Sequence, residues 1–439
     1  MKHMQFVVKC SFVLALITST AFSQETPVFG KYQFYIQDGV LMRGSKPFLV
    51  RAVYVPNLFA ATTPRENVIR TLNHAAEVGA TTVCFDLPEL QSFGDDSSAD
   101  TVKRMTELIE QVTWRQLGAI CRVPAKDEWQ GSGTYANVLR RAATALKDLN
   151  RVVFWLDGKN VEEYAKIFQE NAPELLLAAA DHAPIRVVPY HGGEDSLRHE
   201  SEGIVLWYGA IPPSAVLDRT HFMVDGTEEN YASLDKAMAL PIESQPWEPD
   251  NSLLTDEERQ SGWISLFDGK TLNGWAIVGP NPKGFQVIDG AIVRTETNGI
   301  MLRSRDRYDN FILRLEWKIN PGGNSGVFLR APRAGRVSKI GMEFQIMGDS
   351  GTPVDKDSTG AIYDVVPPLK NAAKPEGEWN DLEISLNGSH LRAVLNGEVV
   401  QDLNLDENDE LRLRLRKGFI AFQDHGHPAA FRHIRIKPL

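Results

Sequence analysis

The sequence predicts a two-part chain: a βα domain of parallel strands with helices outside, followed by an antiparallel sandwich of jelly-roll type. Three observations carry this reading. Up to about residue 210, short apolar runs alternate with helical stripes, the rhythm of parallel strands wrapped by helices, in a barrel or an open sheet. From Trp263 onward short strands follow one another across Asp-Gly, Asn-Gly and Pro-Gly turns with hardly a helical stripe. Between them lies an acidic stretch carrying Pro241, Pro246 and Pro249.

Length and composition set the bounds. At 439 residues the chain exceeds one ordinary domain of roughly 150 residues, and 43% hydrophobic content suffices for real cores. A net charge of −10 argues against nucleic acid as a partner, because phosphate binding needs a basic surface. Residues 1–23 read as a secretion signal: Lys2 and Lys9 precede Phe12-Val13-Leu14-Ala15-Leu16-Ile17, and Ala21-Phe22-Ser23 offers small residues for cleavage. A secreted or periplasmic protein is therefore expected, and no later segment is apolar enough to be a membrane helix. Cys10 leaves with the signal; Cys84 and Cys121 sit in apolar runs and read as buried small hydrophobes rather than a disulfide or metal ligands.

Taken in order, Tyr32 to Tyr54 reads as hairpin-like strands around Asp38-Gly39 and Gly44-Ser45-Lys46-Pro47. A helix starting at Pro64-Arg65-Glu66-Asn67 shows Val68, Leu72, Ala75 and Ala76 on one face, and Thr81 to Phe85 follows as a strand. The unit recurs with Met105, Leu108 and Val112 before strand Ala119 to Val123, and with Val138, Leu139, Ala142 and Leu146 before Val152 to Leu156. Further strands are expected at 175–177, 185–188 and 204–207. Residues 32–240 form this domain, 241–252 a linker, and 253–439 the second domain, which Leu254-Thr255-Asp256-Glu257-Glu258 opens as a short capped helix.

In that second domain Met342-Glu343-Phe344-Gln345-Ile346 alternates strictly, so Glu343 and Gln345 project from one sheet face while their neighbours enter a core. Phe419 to Phe422 is another strand, ending in Gln423-Asp424-His425-Gly426, whose groups accept, donate and shuttle protons near neutral pH. Leu391 to Leu395 and Val399 to Leu403 flank Asn396-Gly397, a hairpin signal.

The first domain resembles a clan of retaining glycoside hydrolases built on TIM barrels. The resemblance rests on Asp38-Gly39-Val40-Leu41, Gly44 to Val53, Gly79-Ala80-Thr81-Thr82-Val83 and Val205-Leu206-Trp207-Tyr208-Gly209-Ala210. The clan's Asn-Glu pair is replaced by Asp157-Gly158-Lys159-Asn160, and Trp207 stands where its nucleophilic Glu would be. Retaining hydrolysis needs two carboxyl groups about 5 Å apart, so a degenerate, non-catalytic barrel is expected. Asp86, Glu89 and Asp157 then read as solvated loop acids.

The second domain resembles the 3-keto-disaccharide hydrolase domain family, a concanavalin A-like jelly roll. The motifs run through Gly262 to Lys270, Leu315-Glu316-Trp317, Pro321 to Arg330, Glu343-Phe344-Gln345, Thr359 to Tyr363, Gly377-Glu378-Trp379-Asn380, Gln423-Asp424-His425-Gly426 and Phe431 to Ile436, where His433 replaces the usual Asn. The resemblance implies cleavage of a 3-keto-glycoside, in which the ketone acidifies the neighbouring C–H and the anomeric substituent leaves by elimination, with water adding afterwards. Such chemistry needs a base, an acid for the departing oxygen and donors for an enolate. Glu343 is the candidate base and His425 the candidate acid or enolate donor. Gln345, Asn324, Arg330, Tyr363, Gln423, Glu316 and Asp424 are candidates for holding the sugar. Glu316 reads equally as part of a cross-strand ion pair, Asn324-Ser325-Gly326 equally as a turn, and Asp424 rather as a turn former. No metal or cofactor is expected, and with no dinucleotide fingerprint in the chain a separate sugar dehydrogenase would supply the ketone. The alternative is a lectin-like module that binds sugar without cleaving it, on platforms such as Trp275, Trp317 and Trp379.

Overall fold

The computed structural model describes residues 32–439 except 89–92, 94–97, 126–133, 181–182, 191–203, 214–216, 218, 280 and 296–300. The expected secretion signal and Glu89 lie outside the described residues.

Eight parallel strands close into a barrel: Arg51–Tyr54, Thr82–Asp86, Gly118–Val123, Val152–Leu156, Leu176–Ala179, Ile185–Pro189, Ile204–Tyr208 and His221–Asp225. The last returns to the first, with Phe222 opposite Arg51 and Asp225 opposite Tyr54, which decides between barrel and open sheet. The helices Arg65–Glu77, Ser98–Trp114, Tyr135–Leu146, Val161–Asn171 and Glu228–Ala237 lie in sequence between or after these strands. Their apolar stripes pack with one strand face in a large cluster holding Val68, Leu72, Met105, Leu139 and Phe168. The opposite strand face, with Ala52, Cys84, Ile120 and Val153, packs in a second cluster. Cys84 and Cys121 are free and buried; they fall in different clusters, on opposite faces of neighbouring strands.

The hairpin is shorter than the alternation suggested. Phe34–Gln37, Val40–Arg43 and Lys46–Pro47 form it, whereas Arg51–Tyr54 leaves to become a barrel strand with parallel neighbours on both sides. The hairpin plugs the end of the barrel where the strands begin. Phe34 and Leu41 join the inner cluster, and Arg43 donates to the carbonyls of Gln116 and Leu117 at 2.8 and 2.6 Å.

The second domain is two antiparallel sheets face to face, a jelly-roll sandwich. One sheet has eight strands, with Ala429–Pro438, Phe311–Ile319 and Asn380–Asn387 at its centre. The other orders five as Trp275–Val278, Met301–Tyr308, Gly418–Gln423, Asn324–Ala331 and Met342–Met347. Leu313, Leu315, Trp317 and Ile384 from the first meet Val327, Phe344, Ile346 and Phe422 from the second. Phe311–Ile319 alternates buried and half-buried residues along its length because successive side chains point to opposite faces, whereas the five-stranded sheet also buries Phe328, Phe419 and Ala421 in a separate cluster. The edge strand Met342–Met347 is covered on its free side: the Gln345 N–H donates to the Ala361 carbonyl at 3.0 Å and the Tyr363 N–H to that of Glu343 at 3.0 Å.

The two domains are welded rather than strung together. Ile340 and Leu415 of the sandwich pack within the barrel's outer core. The Ala334 and Arg336 N–H groups donate to the carbonyls of Ala76 and Arg115 at 3.0 and 2.8 Å. Asp235 takes Arg307 at 2.6 Å and Arg333 at 2.7 Å. The stretch expected as a linker takes part: its helix Pro241–Ser244 carries Glu243, which binds Arg303 at 2.7 Å and Arg333 at 2.6 Å. Burial pushes the Glu243 carboxyl up, but hydrogen bonds from Arg333 and Arg303 outweigh it and hold the pKa at about 2. Beyond it, Thr255 and Glu258 form the reciprocal cap that opens the helix Asp256–Gln260.

Candidate active site

On the outer face of the five-stranded sheet lies a cavity of about 430 Å³. The period-two alternation of Met342–Met347 puts Glu343 and Gln345 into it while Met342, Phe344 and Ile346 fill the core. Asn324 and Phe328 enter from the neighbouring strand, Gln423 from the next, and His425 from the turn that follows. Tyr363 comes from the segment covering the sheet edge, and Arg336 from the loop that touches the barrel.

Glu343 is only 3% exposed. Burial drives its carboxyl pKa up to about 8, against the opposing pull of the Arg336 charge and a hydrogen bond with the Gln423 side chain. Desolvation penalises the charged form, and one neighbouring guanidinium does not offset it. A carboxyl poised there exchanges protons on either side of neutrality. Gly326 makes the room: a Cβ at that position would stand 2.7 Å from the Glu343 Oε1 and 2.9 Å from its Cγ.

Three amide side chains surround it: Asn324, Gln345 and Gln423. The Asn324 Oδ1 and the Gln423 Oε1 are buried without a partner among the described residues, and such groups cost free energy unless a ligand supplies the donor. The Gln345 Oε1 accepts from the Ile346 N–H at 3.2 Å. Burial, Asp357 and Glu343 raise the Tyr363 phenol, with Arg336 opposing. His425 is exposed at the rim, 6.2 Å from the parallel ring of His427. Among the described residues no group of His, Cys, Asp or Glu forms a metal cluster.

Residues 262–437, which contain all of the cavity's sandwich wall, match the family described as the 3-keto-alpha-glucoside-1,2-lyase-like domain. They are a domain of that family. A relative from Bacteroides thetaiotaomicron named 3-keto-disaccharide hydrolase is 29% identical, over 40% of this chain and 79% of its own. Among solved structures, a candidate glycosyl hydrolase from Parabacteroides distasonis is 27% identical, covering 43% of this chain and 98% of its own with a TM-score of 0.39. A second structure from the same organism gives 27% identity, 40% and 99% coverage and a TM-score of 0.37.

Of the nine candidate residues in the lyase-like domain, the cavity brings together Glu343, His425, Gln345, Asn324, Tyr363, Gln423 and Asp424. Asp424 serves structure there. Its side chain is 1% exposed, pairs with Arg294 at 2.7 Å, and accepts from the Gly426 N–H at 3.1 Å, fixing the turn that presents His425.

Arg330 and Glu316 lie elsewhere. Alternation from Asn324 would put Arg330 on the cavity face, but the pairing with Gly418–Gln423 shifts register between Phe328 and Ala331, and Arg330 has φ 53°. That bulge re-aims the side chain, and the guanidinium donates instead to the carbonyls of Asp309 and Gly388. Glu316 is on the eight-stranded sheet, bound to Arg432 at 2.7 Å and His433 at 2.8 Å. The proposed aromatic platforms fail likewise: Trp275 and Trp317 are core residues, and Trp379 carries Lys318 and Arg432 over its ring.

The sequence reading missed Gly326, Phe328 and Arg336, and two residues from the other domain, Tyr32 and Gln116, which complete the wall. A glycine inside a strand was a usable signal for the first. None existed for Tyr32 and Gln116. In the barrel, Arg122 binds both Asp86 at 3.0 Å and Asp157 at 2.9 Å, so these acids are ion-paired while keeping 28% and 36% of their side chains exposed. Trp207 belongs to the outer cluster, not the barrel mouth; its neighbour Tyr208 donates to Asp225 at 2.7 Å.

Proposed function

We propose that the lyase-like domain cleaves 3-keto-glycosides or 3-keto-disaccharides by elimination followed by hydration. The Glu343 carboxylate removes the proton from the second sugar carbon. The electron pair delocalises into the ketone as an enolate, then returns to expel the anomeric C–O bond. His425 gives the departing oxygen its proton, leaving a free alcohol and an unsaturated keto sugar. Water then adds to the anomeric carbon, giving its proton to the His425 imidazole, while the Glu343 proton returns to the second carbon; both groups regain their starting states and the net reaction is hydrolysis.

The single observation that supports this most is the buried Glu343 with its pKa at about 8, facing the orphaned amide oxygens of Asn324 and Gln423. Those oxygens suit sugar hydroxyl donors, while Arg336 and Tyr363 suit an enolate oxygen. The family description, with its 1,2-lyase chemistry, and the name of the Bacteroides relative favour the same substrate class. In this reading the barrel does not perform the chemistry, the protein acts after export, and a separate sugar dehydrogenase makes the ketone.

The test is incubation with a 3-keto-glucoside while the released alcohol is followed. Release by the wild type and not by Glu343→Gln supports the mechanism. Binding without release makes the protein a sugar-binding module instead.

A further inference from the structure

A second cavity, of about 590 Å³, adjoins the first and shares Tyr32 and Gln116 with it. Among the described residues its lining comes from the barrel domain: the hairpin from Arg43 to Phe48, with Tyr32 and Gln116. Both cavities fall within the ~300–1,000 Å³ of small-molecule sites.

Gln116 sits at the junction under a backbone constraint that its side chain does nothing to satisfy. The helix Ser98–Trp114 ends in a Schellman motif, with the Leu117 N–H on the Val112 carbonyl at 3.1 Å and the Gln116 N–H on that of Thr113 at 2.9 Å. The position between requires a left-handed residue, and Gln116 has φ 57°. Glycine is the favoured occupant there. This chain instead places an exposed glutamine there, and Gln116 lines both cavities.

The second cavity is also cationic. Arg43 and Lys46 line it and, among the described residues, no carboxylate does, in a chain whose net charge is −10. The Arg43 guanidinium is fixed over the rings of Tyr32, Phe34 and Phe48 at 5.2, 5.7 and 5.3 Å. Its Nε is buried without a partner among the described residues. Lys46 is exposed and makes no ion pair among the described residues.

We infer that this second cavity is the leaving-group subsite, built for a ring that carries a carboxylate. The inference rests on the 3-keto-glycoside reading of the first cavity. The keto sugar occupies the Glu343 side, the glycosidic bond passes between Tyr32 and Gln116, and the ring beyond lies along the hairpin with its acid toward Lys46. The barrel thus supplies specificity to a reaction carried out by the sandwich.

The experiment uses the full chain as wild type, Gln116→Gly and Lys46→Gln. The substrates are the methyl, phenyl and 4-carboxyphenyl 3-keto-glucosides. Intrinsic leaving ability differs among them but is common to all three proteins, so the readout is how each substitution changes the ratio of kcat/KM between substrates. Gln116→Gly suits the left-handed backbone, and its thermal transition checks that it folds. It is expected to lower the phenyl-to-methyl ratio about ten-fold, the size of one good pocket contact. Lys46→Gln is expected to lower the carboxyphenyl-to-phenyl ratio about three-fold, the size of an exposed charge pair. Unchanged ratios in both variants overturn the inference. If the wild type turns over none of the three substrates, the keto-glycoside reading has failed separately. Calorimetric binding of methyl and 4-carboxyphenyl glucoside to wild type and Gln116→Gly then decides the subsite, and equal affinities overturn it.

Discussion

Replacing Glu343 by Gln should abolish turnover and at the same time make the protein more tolerant of alkali. The folded carboxyl has its pKa at about 8 against an ordinary 4.5, so the folded state holds a proton that the unfolded chain has already released. A raised carboxyl pKa favours folding below about 4.5, and that advantage is lost as the pH climbs through about 8. At 1.36 kcal/mol per unit, the loss between pH 5 and pH 9 is about 4 kcal/mol. Glutamine keeps the shape and the capacity to hydrogen-bond without the ionisation. All other titrating groups are common to both proteins, so the difference in urea unfolding free energy between variant and wild type should grow by about 4 kcal/mol from pH 5 to pH 9. For a domain of this size that is on the order of 10 °C in Tm. A difference that stays flat with pH would mean that Glu343 ionises as freely folded as unfolded, and the proton-exchange role would fall with it.

Four further outcomes follow from the same geometry. If Glu343 acts as the base, kcat/KM should rise with pH on a limb centred near 8, and a rate falling over that range would reassign it as an acid. Gly326→Ala places a methyl 2.7 Å from the Glu343 Oε1, and steady-state kinetics should show kcat down about 100-fold from the displaced carboxyl. Asp424→Asn strands Arg294 in a site where both side chains are nearly inaccessible, and denaturant titration should register a loss of about 3–5 kcal/mol. Glu243, held at about 2, stabilises the domain junction above the ordinary carboxylate range and loses that contribution as pH falls toward 2; Glu243→Gln at pH 7 should cost about 3 kcal/mol by the same titration.

What the sequence reveals here depends on how local the controlling interaction is. Alternation in Met342–Met347 exposes Glu343 and Gln345 because the strand is regular, and its period fixes which face each residue takes. The same rule misplaces Arg330, since a bulge is a property of two strands in register and leaves only a faint mark on either. The βα rhythm alone left closure open for a similar reason, being the same in a closed or an open sheet; the resemblance to the glycosidase clan called for a barrel, and the return pairing of Phe222 with Arg51 shows it. Tyr32 and Gln116 lie more than 200 residues from Glu343 in the chain, and no periodicity reports a contact across two domains. The linker was misjudged because proline and acid content resemble a tether, whereas Glu243 is a ligand for two arginines on the sandwich.

The shared core at Ile340 and Leu415, together with the arginines clamped by Asp235 and Glu243, removes one option that many two-domain enzymes use. Jaws fused at the hinge do not gape. A guest can approach Glu343 past the rim at His425 or along the trough by Lys46 without the domains parting. If the sandwich cleaves a keto sugar as proposed, these two fixed mouths, and not a swinging of one domain on the other, set the size of guest it admits.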